Sequence, residues 1–349
     1  MENQQLFYFC KNNKLKMLKH FDLRGVNGAF MSMLVIGFFL VQERANAQSR
    51  GIFVPYSSVG VGVGTSSYFG DMASFSTPFK SIFGMMRWNA SANYTRHFTP
   101  RLAARAAFTY ARIVGDDYQM NKNDPTNIRF PRNLSFRNDL KEFSLVGIYK
   151  LTPDNRSYDR RPQMGVYLFG GIAAVAHNPV ARDTTGGKWV KLQPLGTEGQ
   201  GRPGYAKPYS LIQLAIPVGV GIRYKINSRI DVGAEIGFRF TFTDYLDDVA
   251  KGYADPTVFS DNPLALKMSN RSLEQFSTKK GKDRTPELAK YVEAIYGVTG
   301  ENPFTVLDSR NYGNEGARGN SFDLNDYYFT GTIHVNYVLP TQIKCPPLR

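Results

Sequence analysis

From residue 216 to 243 apolar residues alternate with small, polar or charged ones, pause over three polar positions, and alternate again. On the second half of this stretch Ile230, Val232, Ala234, Ile236, Phe238, Phe240 and Phe242 share one parity. Asp231, Gly233, Glu235, Gly237, Arg239, Thr241 and Thr243 share the other. Side chains of a strand alternate between its faces, so the pattern predicts strands with one oily face and one face of glycines and ions. Eight such segments follow one another, at about 56–67, 86–98, 101–114, 137–151, 164–176, 209–226, 230–243 and 326–339. Their apolar faces run past the ~5–6 residues of an ordinary globular strand and match the ~9–11 that a tilted membrane strand needs.

The spacers alternate in length. Residues 99–100, 152–163 and 227–229 are short to medium turns, whereas 68–85, 115–136, 177–208 and 244–325 are long loops. Short turns at one end and long loops at the other characterise outer-membrane barrels. Aromatic residues near the segment ends (Tyr94, Tyr110, Tyr149, Tyr224, Phe242, Tyr337) suit two interfacial girdles. The expected fold is therefore all-β: an eight-stranded antiparallel transmembrane β-barrel with long extracellular loops. A soluble barrel would turn the oily face inward around a ligand cavity. Loop asymmetry and an export signal argue against that arrangement.

That signal occupies residues 1–47. Lys11, Lys14, Lys16, Lys19 and Arg24 precede an apolar run at 29–41, and Ala45-Asn46-Ala47 is a small-x-small cleavage site. The basic segment is long, and Met17 is an alternative start. The remaining organisation is a barrel at 48–340, with 244–325 inserted as a large extracellular loop, and a periplasmic tail at 341–349. In the large loop, 286–297 places Leu288, Tyr291, Val292 and Ile295 at helical spacing with Thr285 as N-cap, and 262–275 suggests a second short helix.

Charge refines this picture. The chain carries +14, and removal of the signal takes six Lys/Arg and three Asp/Glu with it. For an exported chain a basic balance points to acidic lipid headgroups or a protein partner rather than nucleic acid. Eight strands leave a lumen just wide enough for side chains, so inward charges must pair. Strand parity requires an odd hairpin loop at 227–229, which sets Lys225 opposite Asp231 and Arg223 opposite Gly233, diagonal to Asp231 and Glu235. With Arg239, Arg105 and Glu142 these residues are expected to form an ionic plug that seals the barrel.

Candidate chemistry is sparse. The cysteines are Cys10, inside the signal, and Cys345, so no disulfide joins the exported chain to itself, and no CxxC or His/Cys cluster suggests a metal. Asp244, Asp247 and Asp248, with Asp71 at the same end, could hold calcium, but a solvated or structural acidic turn is the plainer reading. The Gly-rich stretch 194–205 lacks the helix and Lys-Ser/Thr pair of a phosphate loop. His177 and Ser210 flank one long loop, yet no third carboxylate orients them. No catalytic residue, cofactor or small-molecule substrate is expected.

Five strings, SSYFGDM, RNLSFRNDLKEFSL, LQPLGTEGQG, YSLIQLAIPVGVGIRY and FTDYLDD, occur in that order over about residues 55–340. As a set they resemble PorG-like outer-membrane barrels of the Bacteroidetes type IX secretion system. The resemblance implies a non-enzymatic barrel that ties a periplasmic ring of PorK/PorN-like proteins to the outer membrane. Arg156, Arg160, Arg161, Lys344 and Cys345 are the candidate partner contacts on the periplasmic side. A structural envelope barrel without a secretion role, and a lipid-A-modifying barrel enzyme, are the alternatives.

Overall fold

The structure is a computed structural model that describes residues 53–73, 78–124, 126–155, 157–184, 187–319 and 325–340. The signal segment, Arg156 and the tail with Lys344 and Cys345 lie outside the described residues.

Eight long strands close on themselves. They are β1 (Tyr56–Phe69), β2 (Arg87–His97), β3 (Leu102–Asp116), β4 (Ser135–Lys150), β5 (Met164–Ala176), β8 (Ile212–Lys225), β9 (Ile230–Thr241) and β10 (Tyr327–Leu339). Every neighbouring pair is antiparallel, running β3-β2-β1-β10-β9-β8-β5-β4, and β4 pairs back with β3. Closure leaves no free edge in the wall. A short hairpin, β6 (Val180–Arg182) and β7 (Trp189–Lys191), prolongs the wall beyond β4 through Arg137 and Val180. Among the described residues no helix is long and apolar enough to cross a membrane.

The two faces sort as the alternation demands. Val61, Val63, Ile172, Leu214 and Ile333 project outward and are each more than 60% exposed. On the opposite parity the wall is lined by glycines and polar groups. Gly221 and Gly237 show why glycine is required there: a Cβ would stand 2.3 Å from the Tyr167 ring and 2.5 Å from the Arg239 guanidinium, respectively. Missing side chains thus make room for the large ones that cross the lumen.

Connections of two lengths segregate to the two ends. One end carries the tight links β2–β3 and β8–β9 and the 151–163 turn, and the other carries the long loops. At the long-loop end α1 (Pro78–Gly84) and α2 (Asp117–Asn121) flank the rim, and residues 244–319 build a cap from α3 (Pro263–Ser269), α4 (Thr285–Tyr296) and α5 (Pro303–Ser309). Thr285 is not the N-cap expected of it. It is the first helical residue, and its N–H and hydroxyl both bond the Asp283 carboxylate, at 2.9 and 2.6 Å. The second helix is shorter than 262–275 because Asn262 caps it at Ala265 and it ends before Asn270. Leu288, Tyr291 and Val292 pack on Tyr118, Phe130, Val306 and Leu307, while Ile295, grouped with them by spacing, stays exposed.

Candidate functional site

Three tiers of charge fill the lumen. The middle tier joins Arg105 on β3 to Glu235 on β9 by two hydrogen bonds, the second at 3.0 Å. Tyr167 donates to the same carboxylate at 2.6 Å, and the His334 ring lies 3.9 Å from it. Arg105 also lies over the Phe169 ring at 5.1 Å. Toward the long-loop end Arg239 pairs with Glu142 at 3.1 Å, and Tyr328 donates to that carboxylate at 2.6 Å. Above these ions Tyr68, Ile113, Phe136, Leu140, Val175 and Leu246 form a buried apolar layer.

The lowest tier closes the short-turn mouth, and here the 151–163 turn folds inward. Asp154 is buried and accepts hydrogen bonds from Tyr56 and Arg223, both at 2.7 Å, and from Lys150. Arg161 pairs with Asp231 at 2.8 Å, and Arg223 approaches the same carboxylate at 3.9 Å. Tyr56 stacks on His97 with ring centroids 4.1 Å apart. A buried charge left alone costs several kcal/mol. These lumen carboxylates each have a cationic partner, and the tiers together obstruct the axis.

Of the seven residues expected in the plug, Arg105, Glu142, Arg223, Asp231, Glu235 and Arg239 line the lumen in ion pairs. Lys225 faces Asp231 in the register, as the odd loop requires. It does not pair with that residue, because its ammonium bonds the carbonyls of Asp159 and Arg161 in the incoming turn. Arg161 corrects a second expectation. It is only 4% exposed and serves the lumen, so it offers no surface to a partner, whereas Arg160 is exposed. Asp154, Lys150, Tyr56 and Tyr167 escaped the sequence reading. Tyr167 was accessible from inward parity alone, but Asp154 lies in a turn, where alternation carries no information.

The long-loop end is held by a second polar network. Glu198, in the Gly-rich stretch, accepts the backbone N–H groups of Ala250 and Lys251 and pairs with Arg318 at 3.3 Å. Arg132 grips Asp117 at 2.7 and 3.0 Å, and Arg284 donates to the carbonyls of Glu274, Phe130 and Pro131. Asp247 and Asp248 are fully buried, not solvated. Tyr68 donates to Asp247 at 2.6 Å and lies 2.8 Å from Asp326, and Tyr209 donates to Asp248 at 2.7 Å. Burial and mutual repulsion raise Asp247 and Asp326 well above the carboxylate range, and Asp244 is pushed up to about 9 by burial and by the Asp326 and Asp71 charges. Asp244 therefore keeps its proton at neutral pH. Among the described residues no group of His, Cys, Asp and Glu could hold a metal ion.

His177 and Ser210 are neighbours without forming a nucleophile–base pair. The imidazole Nε2 bonds the Ser210 carbonyl at 3.1 Å, and the Ser210 hydroxyl donates to the Ile212 carbonyl at 2.8 Å. Burial also pushes the His177 pKa down to about 4.

Fold and lumen together define an eight-stranded closed antiparallel barrel with an oily exterior and an ion-paired interior. The chain belongs to the DUF6089 family, a domain of unknown function, whose match covers residues 31–185 and 204–257. No curated protein sequence matches it. Among solved structures it is similar to Ail, the attachment invasion locus protein of Yersinia pestis, at 8% identity and a TM-score of 0.32, over 82% of this chain and 99% of that one. Neisserial surface protein A is similar at 8% identity and a TM-score of 0.31, over 80% and 96% of the two chains.

Proposed function

We propose that this chain is an integral outer-membrane barrel that acts without catalysis, as the membrane anchor of a periplasmic ring of PorK/PorN-like proteins in a type IX secretion system. The observation that carries the membrane reading is the contrast between the two faces of the wall. Rows of valine, isoleucine, leucine and phenylalanine stand exposed around most of the outside, while arginines and glutamates are buried within. Soluble monomers rarely expose contiguous apolar patches beyond a few hundred Å². Lipid accepts such a face, and a closed ladder leaves it no unpaired backbone group. On this reading the short turns face the periplasm and the capped end faces outward.

The anchoring role is supported by the ordered strings shared with PorG-like barrels and by the construction of the short-turn end. A filled lumen conducts nothing, so the useful surface is the rim itself. The 151–163 turn is fixed from within by Asp154 and Arg161, which leaves Arg160 and the tight turns at 98–101 and 226–229 as a rigid exposed rim. A rigid rim loses little conformational freedom on docking. Affinity purification of the tagged chain from detergent-solubilised envelopes tests this role. Ring proteins are expected to co-purify, and their absence, or normal secretion in a deletion strain, would leave only a structural barrel of the envelope.

A further inference from the structure

The outer wall is oily around most of its circumference but turns cationic in one sector at the long-loop end. Along β4 the outward positions run Tyr149, Gly147, Leu145, Phe143 and then Lys141, Asp139 and Arg137. Across the ladder Lys141 stands beside Tyr110, and Asp139 beside Arg112. The β6–β7 hairpin continues the same face, with Arg137, Val180 and Lys191 in one row and Arg182 beside Trp189 in the next. At the corresponding end of the opposite wall the outward residues are Ile212, Leu214, Phe240, Phe242 and Tyr327, which carry no formal charge at neutral pH.

The cations are held on aromatic supports. Arg137 lies over the Trp189 ring at 4.2 Å, and Arg112 over Trp88 at 5.6 Å, with Trp88 stacked on Tyr110 at 5.4 Å. The chain has two tryptophans, and both lie in this sector. Asp139 neutralises Arg112 through two bonds, at 2.5 and 2.9 Å. Lys141, Arg137, Arg182 and Lys191 have no acidic partner within ion-pair distance among the described residues. Their height is informative. Lys141 lies about 20 Å up the wall from Tyr149, at ~3.3 Å per residue and a ~40° tilt, and Arg137 about 10 Å higher. An apolar belt is ~25 Å tall, so these four cations straddle its upper edge, where lipid phosphates lie. Arginine presents a planar fork that fits phosphate oxygens, and lysine reaches the interface with its stem in the apolar layer.

We propose that this sector, Lys141, Arg137, Lys191 and Arg182 framed by Trp88 and Trp189, docks the phosphate-bearing headgroups of lipids in the leaflet around the long-loop end. The inference rests on the membrane reading given above and deepens it by naming a lipid class and a sector. It gives the barrel a preferred annular lipid on one side and a fixed rotational identity in the membrane.

The tryptophans supply the readout. The folded protein is reconstituted in phosphatidylcholine vesicles containing, at equal mole fraction, either brominated phosphatidic acid or brominated phosphatidylcholine, and tryptophan quenching is measured. Quenching by both lipids, with a several-fold greater apparent affinity for phosphatidic acid, is the expected result. The variant R137Q/K141Q/R182Q/K191Q should lose that preference and keep its quenching by phosphatidylcholine. Inorganic phosphate in the buffer should not remove the preference, and its removal by free phosphate would overturn a lipid as the occupant. Equal quenching of the wild type by the two lipids overturns the strip but leaves the membrane reading intact, whereas no quenching by either sinks both. Should the quadruple variant fail to fold, judged by heat-modifiable gel mobility, K141Q/K191Q changes two exposed positions, and an undiminished preference in that protein overturns the proposal.

Discussion

Replacing Glu235 by glutamine tests the plug at its middle tier. The change preserves shape but removes the charge that Arg105 addresses with two hydrogen bonds and that Tyr167 addresses with a third. Both side chains of the ion pair are only about a tenth exposed, at 11% and 13%. Removing one partner of a buried pair costs ~3–5 kcal/mol, because the remaining charge is stranded. Arg105 keeps the Phe169 ring beneath it, worth ~0.5–2 kcal/mol, so the lower end of the range applies, about 3 kcal/mol. That lowers the folded-to-unfolded ratio roughly a hundredfold, at 1.4 kcal/mol per decade. The assay is reversible urea unfolding from lipid vesicles, followed by tryptophan emission and by gel mobility. Arg105→Met alone should cost a similar amount, since it strands Glu235 instead. The double variant R105M/E235Q should recover much of the loss, as replacement of both charges of a buried pair is often neutral. Costs below about 0.5 kcal/mol for each single change, the size of an exposed ion pair, would refute a dry ionic plug and imply a solvated lumen. A double variant no better than the sum of the singles would refute the pairing itself.

Three further outcomes are expected. Val61→Arg places a charge on the outward row near the middle of β1 and should cost ~2–4 kcal/mol of folding stability in lipid; a cost near zero, or folding without detergent, would reverse the orientation of the wall. Asp244 has a folded pKa near 9 against 3.8 in its ordinary state, so the stability linked to its protonation is fully present below pH 3.8, falls as pH rises through that window, and is lost by about pH 9. The cap should therefore exchange its amide hydrogens faster at the alkaline end of that window, and Asp244→Asn should flatten this slope. Leu288→Ala removes a fully buried side chain from the cap and should cost ~2–5 kcal/mol there, seen as faster trypsin cleavage at exposed Lys290 with unchanged gel mobility of the barrel.

Much of this architecture is local, and so was legible in the sequence. Alternation fixes which residues share a face, and the odd loop at 227–229 fixes the register of β8 against β9, down to Lys225 facing Asp231. The eight strands, their two faces and the segregation of short and long connections all follow from patterns spanning a few residues. Partnership across the lumen is a different matter. Arg105 meets Glu235 over a separation of 130 residues, and Arg239 meets Glu142 over 97; barrel stagger, which no single strand encodes, decides those pairs. The 151–163 turn folds into the mouth, which takes Asp231 from Lys225 and gives it to Arg161, and which brings Asp154 to Arg223. The two buried acids that Tyr68 meets, Asp247 and Asp326, likewise come from distant segments. The sequence determined which groups face inward, because parity is a property of the backbone; only closure of the barrel decided which of them meet, because Coulomb and hydrogen-bond partners are chosen by distance in space.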